Sequence, residues 1–362
     1  MSPNRPLKVV AWSTGTVGKL AIAGILARPE LELVGVWVST EAKVGRDAGE
    51  LAGLGIETGV LATGDRDALL ALKPDCIVHT AMADDRLFEA YEDLVSFLEA
   101  GVNVASSGPV FLQYPHGVFP ADMVERIEEA GRRGGASLHV NGIDPGFAND
   151  LLPLVMTSLS HRIDEVRVFE IADYSTYYQP VVNNEIFGFG KPLDDVPMLF
   201  QPGILTLAWG SVVRIIAAGL DLALDEQLVE TVEFGTYDED LKTVSGEIPA
   251  GTRAGVRFSV AGTVNGTPRV VLEHVTRNHP EMMPDWPKPV EGDGIYRVEI
   301  KGEPYMKLDF VHHGEHGDHN DSGMMVTAMR LVNSVEAVCN AKPGLVTAID
   351  LPLVTGRGLV AT

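Results

Sequence analysis

Along the first 150 residues the apolar positions fall in short unbroken runs, and these alternate with stretches of helical period. Residues 8–12, 33–38, 76–80, 103–105 and 137–140 read as strands, and 18–26, 66–72, 87–100 and 121–132 as helices. Short β-branched runs without polar alternation mark strands buried on both faces, as in a parallel sheet covered by helices. Pro74-Asp75 and Gly101 sit at element ends, where such residues begin a turn or stop a helix.

Beyond about residue 150 the period changes to two. Segments 166–172, 228–236, 255–264, 269–275 and 296–300 alternate like strands of a one-sided, mostly antiparallel sheet. Asn265-Gly266 between two of them is a hairpin signal. A helix over 205–224 is expected to cover one sheet face. An amphipathic helix over 324–339, ended by Lys342-Pro343-Gly344, is expected to pack back on the first domain, with Asp321 or Ser322 as its N-cap. The pattern predicts an α/β chain: an N-terminal Rossmann-type parallel sheet at 1–150 and a second α+β domain on a mostly antiparallel sheet at 151–322. A C-terminal helix and tail follow at 323–362.

The turn between the first strand and first helix is Ser13-Thr14-Gly15-Thr16-Val17-Gly18. It resembles a G-x-G-x-x-G turn with Ser13 in the first glycine's place, set between strand and helix as a dinucleotide site requires. Gly15 would let a pyrophosphate approach the backbone, Gly18 would let the helix pack closely, and the free N–H groups at the helix start would face the phosphates. About 20 residues on, where an acid usually binds the ribose 2′-hydroxyl, the chain reads Ser39-Thr40-Glu41-Ala42-Lys43. With no acid at the strand tip, Ser39, Thr40 and Lys43, helped by Arg46, point to NADP. NAD stays open through Glu41. Ligands of such sheets lie beyond the carboxyl ends of the strands, which brings His79, Thr80 and Ala81, Ser106 and Ser107, and Asn141, Pro145 and Gly146 into the predicted cofactor site.

Composition narrows the partners. A formal net charge of −22 over 362 residues, with no Lys/Arg stripe, argues against nucleic acid. No apolar run reaches membrane-spanning length. Cys76 and Cys339 are the only cysteines, which predicts no disulfide framework and a cytoplasmic location. The second domain carries apolar and aromatic residues such as Ile186, Phe187, Met198, Trp209 and Trp286 without a cationic cluster, so a small-to-medium hydrophobic substrate is expected rather than a dianion.

Several segments together resemble the dihydrodipicolinate-reductase-like group that contains 2,4-diaminopentanoate dehydrogenase and the native amine dehydrogenases. They are 12–18, 43–51, Asn141-Gly142-Ile143-Asp144-Pro145-Gly146-Phe147, Asp318-His319-Asn320, 327–330 and Asp350-Leu351-Pro352. The resemblance implies NAD(P)H as cofactor, a homodimer, and reduction of a carbonyl plus ammonia, by way of an imine, to an amine. One departure bears on the chemistry. Amine dehydrogenases of the group carry a Glu-Glu pair before Tyr-Pro, whereas Val110 and Phe111 stand before Tyr114-Pro115. Two apolar side chains cannot hold an ammonium-like species, so ammonium-dependent amination is expected to be absent or very slow unless another carboxylate takes over, with Asp144 and Glu170 the first candidates.

For the proton donor, Asp144, Tyr174, Tyr177, Tyr178 and His319 are the candidates, and Tyr177 is preferred as a phenol able to act as general acid. His312, His313, His316 and His319 do not match metal-ligand spacing, and the glycines among them predict a loop rather than a metal site. The leading reading is a hydride transfer to C=O or C=N, with conjugated C=C also open. A carbonyl or enone reductase without amination, or a non-catalytic dinucleotide sensor, is the alternative.

Overall fold

The computed structural model describes residues 5–83, 86–315 and 318–360. In chain order its elements are β1 (Leu7–Trp12), α1 (Thr16–Leu26), β2 (Leu31–Trp37), α2 (Ala48–Ala52), β3 (Ala62–Thr63), α3 (Arg66–Ala71), β4 (Cys76–His79), α4 (Leu87–Glu99), β5 (Asn103–Ser106), α5 (Ala121–Gly134) and β6 (Ser137–Val140). Then come α6 (Leu151–Thr157), β7 (Arg162–Asp173), α7 (Ile204–Gly219), β8 (Val229–Thr236), β9 (Leu241–Thr243), β10 (Gly246–Ile248), β11 (Arg253–Val264), β12 (Thr267–Arg277), β13 (Gly294–Glu303), β14 (Met306–Phe310), α8 (His319–Cys339) and β15 (Gly344–Leu345). The chain divides into two compact units, Met1–Ile143 with Met324–Thr362, and Asp144–Gly323.

The first unit is built on a seven-stranded parallel sheet in the order β15-β6-β5-β4-β1-β2-β3. From Val9 to Trp12 β1 is apolar and buried, because both of its faces are covered there. Trp12 is fully buried, stacks on Trp37 at 4.7 Å and meets Phe97 edge-on at 4.6 Å. Ala328, Leu331, Val332 and Val335 of α8 complete the core around β1 and β4. Each fully buried Leu or Val side chain among these contributes about 1.5–3 kcal/mol. The polar start of α8 extends the helix five residues ahead of the expected boundary. Asp318 Oδ1 accepts from the Asn320 and Asp321 amides, so Asp318, and not Asp321 or Ser322, caps the helix.

The second unit carries a six-stranded sheet, β14-β13-β7-β12-β11-β8, antiparallel except for the β7–β12 pair. One face meets α7 through Val166, Val168, Val256, Phe258, Val270 and Leu272. The other face is covered in part, by an apolar cluster of Phe169, Ile171, Val275, Trp286 and Ile295, so the sheet is not one-sided as expected, and beside that cluster it carries charge. Glu273, 3% exposed, accepts from Arg167 and from Arg257, each at 2.7 Å. The hairpin turn falls at Asn265 and Gly266, both at positive φ, as an Asn-Gly turn requires. The buried guanidinium of Arg253 gathers the loop ahead of α7. It donates to the carbonyl oxygens of Gly188 (3.1 Å), Pro192 (3.3 Å) and Asp195 (2.7 Å) and lies over the Phe234 ring. A Cβ at Gly188 would overlap that guanidinium.

Candidate functional site

In the first unit the turn after β1 brings the predicted phosphate-binding residues together. Ser13 occupies φ 108°, a conformation rare for any residue but glycine, so it takes the geometry of the motif's first glycine at a cost in strain. A Cβ at Gly18 would overlap the Ser13 carbonyl oxygen, so Gly18 is required by the turn itself. Above Gly15 there is space. A Cβ there would meet only Ser13 Oγ, at 3.6 Å. α1 begins at Thr16 with no side-chain cap and no acidic residue in its first turn. Its leading N–H groups and the positive end of its dipole therefore suit an anion. This cradle fits a dinucleotide pyrophosphate.

The neighbouring strand ends hold other predicted contacts. Lys43 Nζ, in the short turn Glu41–Lys43, donates to Thr14 Oγ1 at 3.1 Å, which sets a cation beside the glycine turn. Ser39 and Thr40 are exposed at the tip of β2, whereas Arg46 is paired with Glu50 at 2.8 Å. Thr80 Oγ1 donates to the Trp12 carbonyl at 3.3 Å. His79 Nδ1 lies 2.9 Å from Ser106 Oγ, and burial pushes its imidazole down to about 4, so it is neutral at pH 7. Ala81 and Ser107 follow the ends of β4 and β5, and Asn141 Oδ1 accepts from Arg330 Nε at 3.0 Å. Pro145 and Gly146 fall in the second unit, where the Gly146 amide is held by Asn149 Oδ1 at 2.9 Å. Phe111 is buried and stacks on Phe119 at 4.2 Å, so this segment belongs to the core and presents no carboxylate.

The second unit assembles a different constellation. Glu170 lies on the core-facing register of β7, in phase with Val166, Val168 and Ala172, yet is only 7% exposed. Its Oε1 accepts from Tyr174 Oη at 2.6 Å, and its Oε2 lies 3.4 Å from His274 Nε2. His274 is fixed in turn by Thr276 Oγ1 at 2.9 Å and stacks on Phe258 at 4.9 Å. Asp144 shares a hydrogen bond with Glu170. Its Oδ1 also accepts from Asn149 Nδ2 at 2.6 Å and Trp209 Nε1 at 3.3 Å.

These neighbours drive the two carboxyl groups apart. Burial, and next the Glu170 charge, push Asp144 well above the usual carboxylate range. Burial alone would raise Glu170 too, but attraction to His274 and hydrogen bonds from His274, Tyr174 and Asp144 outweigh it and pull Glu170 down to about 2. The result is one ionised and one protonated carboxyl sharing a proton, the arrangement by which paired acids take on separate acid and anion roles. Tyr174 and Tyr296 are pushed up by burial and by Glu170, which keeps both phenols protonated.

Of the predicted proton donors, Asp144 and Tyr174 are in this cluster. Tyr177 lies 4.6 Å from Tyr174 with the ring planes tilted by 44°, and packs against the same core. Tyr178 is 64% exposed. His319 stacks on His312 at 4.4 Å and lies 5.5 Å from Tyr296. His316 lies outside the described residues. Glu170 entered the sequence reading only as a substitute acid, and His274 did not enter it. The signal for both was a polar residue in the apolar phase of a strand.

Among the described residues no helix is long and apolar enough to cross a membrane. Residues 147–359 match the family model for the 2,4-diaminopentanoate dehydrogenase C-terminal domain. The chain is 41% identical over 350 residues to an amine dehydrogenase from Streptomyces virginiae, covering 96% of each. It is 25% identical over 357 residues to 2,4-diaminopentanoate dehydrogenase from Acetoanaerobium sticklandii, covering 96% of this chain and 94% of that one. The fold is similar to that of an amine dehydrogenase from Mycobacterium smegmatis, with a TM-score of 0.78 at 21% identity over 99% of both chains. By these matches the chain belongs to the family of 2,4-diaminopentanoate dehydrogenase and amine dehydrogenase and is an NAD(P)-dependent oxidoreductase.

Proposed function

We propose that this enzyme interconverts a hydrophobic ketone or aldehyde and the corresponding primary amine, with the Asp144–Glu170 pair as its acid–anion centre. The observation that carries this reading is a buried pair of carboxyl groups, Asp144 and Glu170, within a hydrogen bond of each other and held by Tyr174, Trp209 and His274. The expectation of little or no amination rested on Val110 and Phe111 alone, and the pair supplies the carboxylate that those positions lack.

At neutral pH one ketone, one ammonium ion, one NAD(P)H and one proton give one protonated primary amine, one NAD(P)⁺ and one water. The reduced nicotinamide supplies the hydride. Protonated Asp144 gives its proton to the departing hydroxyl of the carbinolamine, which leaves as water. Ionised Glu170 stabilises the iminium cation that forms, and a fixed anion in a water-poor site does so at no cost in reorganisation. The phenol of Tyr174 and the imidazole of His274 hold the Glu170 carboxylate in place. A neutral carbonyl reduction would gain nothing from a standing anion beside the reacting carbon, so the pair favours C=N over C=O.

The test is amine formation from a panel of cyclic and aliphatic ketones with NADPH, with and without ammonium. Cofactor oxidation should require ammonium and match amine produced one to one. Alcohol formed at the same rate without ammonium would overturn the reading.

NADP is the cofactor we propose, because Lys43 stands beside the turn and the tip of β2 offers only hydroxyls. Lys43→Ala should weaken NADPH by about 10–100-fold, the equivalent of one charge-assisted hydrogen bond of roughly 1.5–3 kcal/mol, and leave NADH unchanged. Titration of cofactor fluorescence measures both dissociation constants, and equal losses for the two would count against a 2′-phosphate contact.

A further inference from the structure

Two histidines next to this centre have no part in the roles above. His312, in the loop after β14, and His319, in the first turn of α8, stack on each other at 4.4 Å with planes 26° apart, and both face the Tyr296 ring at about the same distance, 5.6 and 5.5 Å. His319 is 3% exposed. A Cβ at Gly294 would overlap the Cδ2–Nε2 edge of its ring, so that edge lies on Gly294 and Nδ1 is on the opposite side. Among the described residues neither His319 Nδ1 nor His312 Nε2, both buried, has a hydrogen-bond partner.

The hydrogen-bond network assigns the protons. Ser322 Oγ donates to the His319 carbonyl at 3.0 Å, so it accepts from His312 Nδ1–H at 2.7 Å, and His312 Nε2 is left as a bare acceptor. A backbone hydrogen bond with His312 favours a proton on the His319 ring. With Nδ1 unpartnered, that proton belongs to Nε2, and Nδ1 is the second acceptor. Burial pushes His312 down to about 4 and His319 below its ordinary value, so both rings are neutral at pH 7. The charge of Glu170 acts on both rings.

Two buried acceptor nitrogens without donors are costly unless a ligand supplies N–H or O–H groups. A single hydroxyl can donate to only one of them. Water and ammonia can each donate to both, and of the two ammonia is the substrate that the reaction above requires; bound this way it keeps its lone pair free for attack on a carbonyl. We infer that His312 and His319 form the subsite that receives the nitrogen of the reaction, ammonia entering during amination and leaving during deamination. The inference rests on the amine reading and names where that reading's second substrate binds.

His312→Phe and His319→Phe keep the stacked ring shape and remove the acceptor. Each should raise the KM for ammonium tenfold or more while the ketone KM and the NADPH dissociation constant stay within twofold. His312→Gln and His319→Asn, which return an acceptor near the lost nitrogen, should recover part of the loss. An unchanged ammonium KM, a rise in the ketone KM alone, or an equal shift in all constants would overturn the inference. A second arm does not depend on turnover. Ammonium chloride, and not sodium chloride, should shift the ¹⁵N resonances of these two imidazoles, and no shift would overturn the subsite. Shifts without any amine formed would instead defeat the amine reading and leave the ammonium site standing.

Discussion

Glu170→Gln should lower ammonium-dependent turnover by roughly 10²–10³-fold, the loss expected when one preorganised stabilising group is removed from a developing charge. Gln keeps the length of the side chain and can still accept from Tyr174, so the packing around β7 is preserved. What goes is the standing charge. The same substitution lowers Asp144, since the neighbouring Glu170 charge is the second cause, after burial, that holds it high. The reaction needs Asp144 protonated, so the alkaline limb of the rate profile should move to lower pH in the variant. Steady-state rates of amine formation against pH, with NADPH affinity measured alongside, give both effects. Full activity, or a loss that follows NADPH affinity, would remove Glu170 from the centre.

Gly15→Val should abolish dinucleotide binding while leaving the protein folded. Gly15 sits at φ −71°, ψ −172°, which a β-branched residue adopts without strain, and a Cβ there meets nothing closer than 3.6 Å. The branched side chain would instead fill the space over the first amides of α1 that a pyrophosphate requires. The dissociation constant for NADPH is expected to rise by roughly 100-fold or more, with the melting temperature within about 2–4 °C of the parent, a shift that corresponds to 1 kcal/mol or less for a chain of this size. Retained affinity would place the cofactor elsewhere.

The first unit was legible because its strands are short, mostly apolar runs and its punctuation is local. β1, the glycine turn and α1 need only period and residue type to be recognised. The second sheet was legible in its central strands, where one face is covered by α7. β14 was missed because Met306, Lys307, Leu308, Asp309 and Phe310 sit at a sheet edge where none is fully buried. The early start of α8 was missed because its first turn is polar and is stabilised by Asp318 rather than by an apolar stripe. At the candidate site, Asp144 was read from a loop motif. Its partner Glu170 was named only as a substitute acid, because β7 lacks the one-sided alternation expected of it: Phe169 and Ile171 are buried on the face opposite Glu170, so phase alone did not single it out.

Arg253 holds the loop ahead of α7 by reading its backbone. The carbonyl oxygens of Gly188, Pro192 and Asp195 are the same whatever side chains flank them, so the grip on this loop survives most changes in its sequence. The exposed side chains between 192 and 196 can therefore drift, or be randomised by an engineer, without loosening the segment. The constraint that this freedom leaves behind is concentrated in two positions, the arginine and the glycine whose missing Cβ lets it in. Evolvability of the loop rests on keeping those two.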